Sequence, residues 1–143
     1  MSDNMMREAY DRIVVVGGGC YGTYYVRQLV RARDAGALSF DRLIVVDRNA
    51  QCQVAMAQRE HRDIQIVQRE WEPFFDEYLD AASRGTGSIA DAIVPSPLMP
   101  HLMFDWLMRR ARDRWPRRPV ERRALRRAPH VPWQRSVASA RMW

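Results

Sequence analysis

The chain has 143 residues, enough for one domain with a real core but short for a complete two-domain enzyme. Its balance of 47% hydrophobic and 28% charged residues is that of a globular protein, and no apolar run approaches the ~20 residues of a membrane-spanning helix. All 23 basic residues are arginine, and the formal charge of +6 is unevenly placed: residues 1–108 hold 11 Arg against 15 acids, whereas residues 109–143 hold 12 Arg against 2.

A nucleic-acid argument from net charge would therefore concern the tail alone. Cys20 and Cys52 form no C-x-x-C pair and have no metal-like spacing to His61, His101 or His130, which excludes a disulfide framework and a structural zinc site. The start, Met1-Ser2-Asp3-Asn4, lacks the basic and apolar stretches of a signal peptide, so a cytoplasmic location is the expectation.

Residues 1–12 are polar and read as a frayed end, with Arg12 leading into a first strand. Ile13-Val14-Val15-Val16 is a β-branched run without polar alternation, which suits a parallel strand buried on both faces. The next residues, Gly17-Gly18-Gly19-Cys20-Tyr21-Gly22, carry a G-x-G-x-x-G spacing at Gly17, Gly19 and Gly22. In such a loop the first glycine turns the backbone off the strand. The second lets the main chain approach a pyrophosphate, and the third lets a helix pack tightly against the strand. The phosphate would sit at the helix N-terminus, where unpaired N–H groups and the positive dipole end favour an anion. Cys20, within the loop, reads either as a tolerated small residue or, less favoured, as a redox-sensitive thiol.

Tyr25, Val26, Leu29 and Val30 give the following helix one apolar face, with Arg27, Arg31 and Arg33 largely off it, and Asp34-Ala35-Gly36 marks its stop. Residues 37–41 read as a loop before a second apolar run, Leu43-Ile44-Val45-Val46, which ends at Asp47. Asp47 lies 25 residues beyond Gly22, where an acid can accept hydrogen bonds from an adenosine ribose.

From Ile13 to Arg48, about a quarter of its length, the chain resembles the NAD(P)-binding Rossmann domains that open dehydrogenases and nucleotide-sensing modules. The resemblance implies an α/β fold and an adenine dinucleotide held by Gly17, Gly18, Gly19, Cys20, Tyr21, Gly22 and Asp47. Arg48 would lie over the adenine or meet the 2′-phosphate of NADP, an alternative balanced by a plain surface arginine. Because Asp47 would repel that phosphate, NAD is favoured over NADP, and FAD is a lesser alternative.

Ala50 to Arg59 reads as a short helix with Val54 and Ala57 inward, and Ile64-Gln65-Ile66-Val67 as a third strand. Trp71 covers the core or lies beside the adenine. Pro73 starts a helix whose apolar face is Phe74, Phe75, Tyr78 and Leu79, followed by a loop at residues 83–88. Residues 89–94 are a fourth strand, interrupted by Asp91, and Pro95-Ser96-Pro97 breaks it. In a doubly wound sheet of order 3-2-1-4 that turn forms the wall opposite the glycine loop, with Ser96 a hydrogen-bond donor there or a turn residue only. Leu98 to Arg114 then reads as a helix.

The expected organisation is thus a Rossmann-type doubly wound parallel sheet of about four strands over residues 1–115, lacking a second half. An Arg/Pro-rich arm follows at residues 116–143, too poor in apolar periodicity to order itself. The arm reads as disordered, or as the end of a truncated or frame-shifted enzyme, in preference to a nucleic-acid grip. The functional expectation is an oxidoreductase-derived NAD-binding protein without an assignable catalytic residue. The rival is a non-catalytic NAD(H)-sensing module acting through a partner subunit or a second copy. A methyltransferase is disfavoured because the first strand lacks an acidic start, and no membrane or metal role is expected.

Overall fold

A computed structural model describes residues 8–57, 63–84 and 90–124. They form β1 (Glu8–Val16), α1 (Cys20–Asp34), β2 (Leu38–Asp47), α2 (Gln53–Ala57), β3 (Ile64–Gln68), α3 (Trp71–Arg84), β4 (Asp91–Val94) and α4 (Leu102–Arg114). All pairings are parallel and the strand order is β3-β2-β1-β4, the α/β layout expected from the sequence. Residues 1–7, the end of the second predicted helix, the 85–89 part of the predicted loop and strand, and the arm from 125 onward lie outside the described residues.

The two apolar runs are continuous because each strand serves two cores. Ile13 and Val15 of β1, with Leu43 and Val45 of β2, face Val26 of α1 and Val54 of α2. Val14 and Val16, with Ile44 and Val46, face Phe74 and Phe75 of α3. A period-2 strand covered on both faces has no solvent side on which to place a polar residue. The Phe74 to Leu79 face of α3 packs as its spacing predicts.

The boundaries move where pairing overrides local composition. β1 begins at Glu8 and β2 at Leu38, with Glu8 to Tyr10 paired to Leu38 to Phe40. The frayed start and the loop at 37–41 are therefore strand from residue 8 and residue 38 onward. Phe40 is buried beneath the Arg33 guanidinium, which lies 5.0 Å from its ring, so one aromatic side chain anchors the polar extension. In α2, Val54 is buried but Ala57 is exposed, and Ala55 packs on the core instead. α3 starts at Trp71, two residues before Pro73, and continues through Arg84. α4 starts at Leu102, because the four preceding residues form turns closed by Met99 N–H donating to Ser96 O at 3.0 Å.

Asp91, which interrupts the fourth apolar run, is a tether rather than a misfit. Its carboxylate pairs with the Arg12 guanidinium at 2.8 Å and accepts the Tyr78 hydroxyl hydrogen, while Arg12 lies 5.0 Å from the Tyr78 ring. One acid thus ties β4 to β1 and to α3. Burial, and then the bond to Asp91, push the Tyr78 hydroxyl well above its ordinary value of 10.0. The folded chain keeps a proton that the unfolded chain releases, so this residue's contribution to stability is intact below pH 10 and declines as pH rises beyond it. Thermal melts across that range should show the decline in the wild type and a shallower one in Tyr78→Phe.

Candidate functional site

β1 ends at Val16, and Gly17 N–H donates to Val46 O at 2.9 Å, which holds the loop against the end of β2. Gly17 has φ +85, a conformation that a side chain makes costly, and it turns the chain off the strand. A Cβ on Gly22 would collide with the Gly17 carbonyl oxygen, so α1 can seat against the loop only with glycine there. At Gly19 the space where a Cβ would stand is open to 4 Å. Gly19 is also the N-cap of α1, with no side-chain cap and no acid in the first turn. The N–H groups of that turn lack intrahelical acceptors, and the helix dipole adds positive potential beside them.

Gly18 has a different and inward reason to be glycine: a Cβ there would collide with the buried Cys52 side chain. Its N–H donates to Asp47 Oδ2 at 2.7 Å and its carbonyl accepts from Val54 N–H at 3.0 Å. Asp47 Oδ1 accepts from Asn49 N–H at 2.8 Å. The acid at the end of β2 is thereby aimed by two backbone donors, and each oxygen keeps a lone pair for a further donor.

These parts surround a crevice of about 230 Å³ at the carboxyl ends of the strands, walled by the glycine loop, Asp47, Trp71, Ser96, Leu98 and Met99. Ser96 is buried, and its Oγ accepts from Leu98 N–H at 3.3 Å, which leaves the hydroxyl hydrogen to donate. Trp71 donates its indole N–H to Val46 O at 3.2 Å, so it both packs on the core and forms a wall. A larger trough of about 750 Å³ runs beside α1 and α2, but it is an open surface lined mainly by exposed side chains such as Tyr24, Arg27 and Arg31. No convergent, buried polar group points to it, and the crevice is the candidate site.

Of the residues singled out from sequence, Gly17, Gly19, Cys20, Tyr21, Gly22, Asp47 and Ser96 meet at the crevice. Gly18 is behind it, supporting Asp47. Arg48 stands 5.7 Å from the Trp71 ring, and its carbonyl accepts from Gln68 Nε2 at 3.3 Å. Leu98 and Met99 were hidden from sequence reading inside a helical spacing, although Pro97 and Pro100 signal the turns that place them. Among the described residues no three His, Cys, Asp or Glu side chains group as metal ligands, and no helix is long and apolar enough to cross a membrane. No protein-family model, curated protein or solved structure matches the chain.

Proposed function

We propose that the chain is a dinucleotide-binding domain of oxidoreductase ancestry that holds NAD at the Gly17–Gly22 loop. The observation that carries this reading is the division of labour among the three spaced glycines. Gly17 has a positive φ, Gly22 touches backbone, and Gly19 alone of the three is open without conformational need. An open glycine at an uncapped helix N-terminus suits a close-approaching pyrophosphate. The crevice is smaller than the ~300–1,000 Å³ of most small-molecule sites, which fits a pyrophosphate and ribose seated there with the bases along the open sheet edge. A nicotinamide bound in this way would supply hydride transfer. The chain's own residues bind and orient: the α1 N–H groups on phosphate, Asp47 on ribose hydroxyls, and Ser96 as a donor from the opposite wall.

Asp47 also sets cofactor choice. Its carboxylate can accept from ribose hydroxyls but would stand against the 2′-phosphate of NADP, and Arg48, beside the Trp71 ring, is not among the residues that line the crevice. The difference is expected to be about 1–3 kcal/mol in favour of NAD, the scale of one mispaired buried polar group. Parallel titrations with NADH and NADPH check it, and Asp47→Ala should narrow the gap. Tighter NADPH binding by the wild type would place Arg48 in control of the pocket.

A further inference from the structure

α4 carries two apolar faces. Leu102, Met103 and Trp106 pack on the core around Val14 and Val16, and Arg109 and Arg110 tie the helix to α3 through Asp76 and Asp80. On the opposite side stand Phe104, Leu107, Met108 and Ala111, followed by Trp115, whose N–H still donates to Ala111 O at 3.0 Å. Phe104 is 40% exposed, Leu107 56% and Trp115 50%, and no residue of α4 is buried. Arg122 lies 5.8 Å from the Phe104 ring and leaves the rest of it open. A helix that is apolar on both sides is ordinarily covered on both. β4, the strand that α4 follows, is also an edge of the sheet and pairs with β1 alone among the described strands.

We infer that this outward face of α4 joins two copies of the chain as an antiparallel helix pair. Phe104, Met108, Ala111 and Trp115 recur at intervals of four, three and four, the spacing of a seam between two helices. A two-fold axis level with Arg109 and Arg110 sets Phe104 against the partner's Trp115, and Met108 against the partner's Ala111. Large rings then meet at the two ends, and a long side chain meets a small one at the centre.

Charge selects the same occupant and the same direction. Asp105 and Arg112 flank the stripe on one side, and neither makes a salt bridge with a described residue. In the antiparallel register each Asp105 comes within about one helical turn of the partner's Arg112, and symmetry makes the pair twice. A parallel arrangement would set Asp105 beside the partner's Asp105 and align the two helix dipoles, which the antiparallel one opposes. This interface rests on α4 alone and does not require a dinucleotide in the crevice.

The test is sedimentation equilibrium of the full chain from about 10 µM to about 1 mM, with circular dichroism confirming that each variant is folded. The wild type is expected to dimerise with a micromolar dissociation constant, as suits a stripe only about 20 Å long. Leu107→Arg, at an exposed position, should raise that constant about tenfold or more, through lost apolar contact and the partner's nearby Arg114. Asp105→Arg should raise it about tenfold, and Asp105→Arg together with Arg112→Asp should bring it back, because each chain then offers the reversed pair. Should Leu107→Arg unfold the chain, the charge series decides alone. A monomer at every concentration would overturn the inference, whether the stripe is then covered by other residues of the same chain or by none. So would a dimer indifferent to Leu107→Arg or to Asp105→Arg, or a charge swap that restores nothing.

Discussion

Gly22→Ala is expected to destabilise the fold by about 3 kcal/mol, lowering the melting temperature by roughly 10 °C. The added methyl group would meet the Gly17 carbonyl oxygen, which is backbone and cannot swing aside as a side chain would. Gly17 cannot easily give way either, since its N–H is bonded to Val46 O and its φ is +85. Relief requires α1 to lift from the sheet, which would open the contacts that Val26 makes with Ile13 and Val15. Calorimetry or a denaturant melt measures the effect. A loss below about 0.5 kcal/mol would mean that α1 and the loop are not packed as described.

Gly19→Val is expected to behave differently, lowering the melting temperature by only a few degrees through the poorer helix cap, and weakening NADH binding by about 100-fold or more, near 2.7 kcal/mol. The backbone at Gly19 has φ −78, which any residue adopts, and no atom stands within 4 Å of the added Cβ. The branched side chain would instead stand in the crevice that Gly19 lines, at the point where, in the proposed mode, a phosphate oxygen would reach the α1 N–H groups. The pair of variants separates the loop's two duties, since one disturbs packing and the other the ligand surface. Equal NADH affinity in wild type and Gly19→Val would remove the loop from the binding site.

Much of the architecture was legible because its strongest signals are local. Ile13 to Val16 and Leu43 to Val46 could hardly be anything but strands covered on both faces, and the glycine spacing between them fixed the turn and the helix start. The strand order was the one that the resemblance to a doubly wound sheet implies, and the described strands have it. What the sequence hid depends on partners distant along the chain. Glu8 and Ser39 carry no strand signal, and they are strand because β1 and β2 pair through them. Asp91 looked like a break in β4 because its partners, Arg12 and Tyr78, lie 79 and 13 residues away.

The site divides along the same line. Gly17, Gly19, Gly22 and Asp47 stand at the crevice as their spacing suggests, whereas Gly18, expected on the cofactor, packs inward behind Asp47, and Arg48, expected over the adenine or at a 2′-phosphate, stands beside Trp71. Gly18 is set by Cys52, and Arg48 by Trp71, through contacts that no motif records. Leu98 and Met99 were assigned to a helix because Leu98 is in register with Leu102 and Trp106 on its apolar face. The turn held by Ser96 removes them from it and gives them to the crevice wall.

The central claim is that an adenine dinucleotide binds at the Gly17–Gly22 loop. Its most direct measurement is a titration of the wild-type chain with NADH, following nicotinamide fluorescence and the total tryptophan emission, with ADP-ribose added as competitor. Saturable one-to-one binding that ADP-ribose displaces is the expected result, because in the proposed mode the phosphates and ribose would carry the recognition. A flat titration up to millimolar NADH, or binding that ADP-ribose leaves untouched, would contradict it.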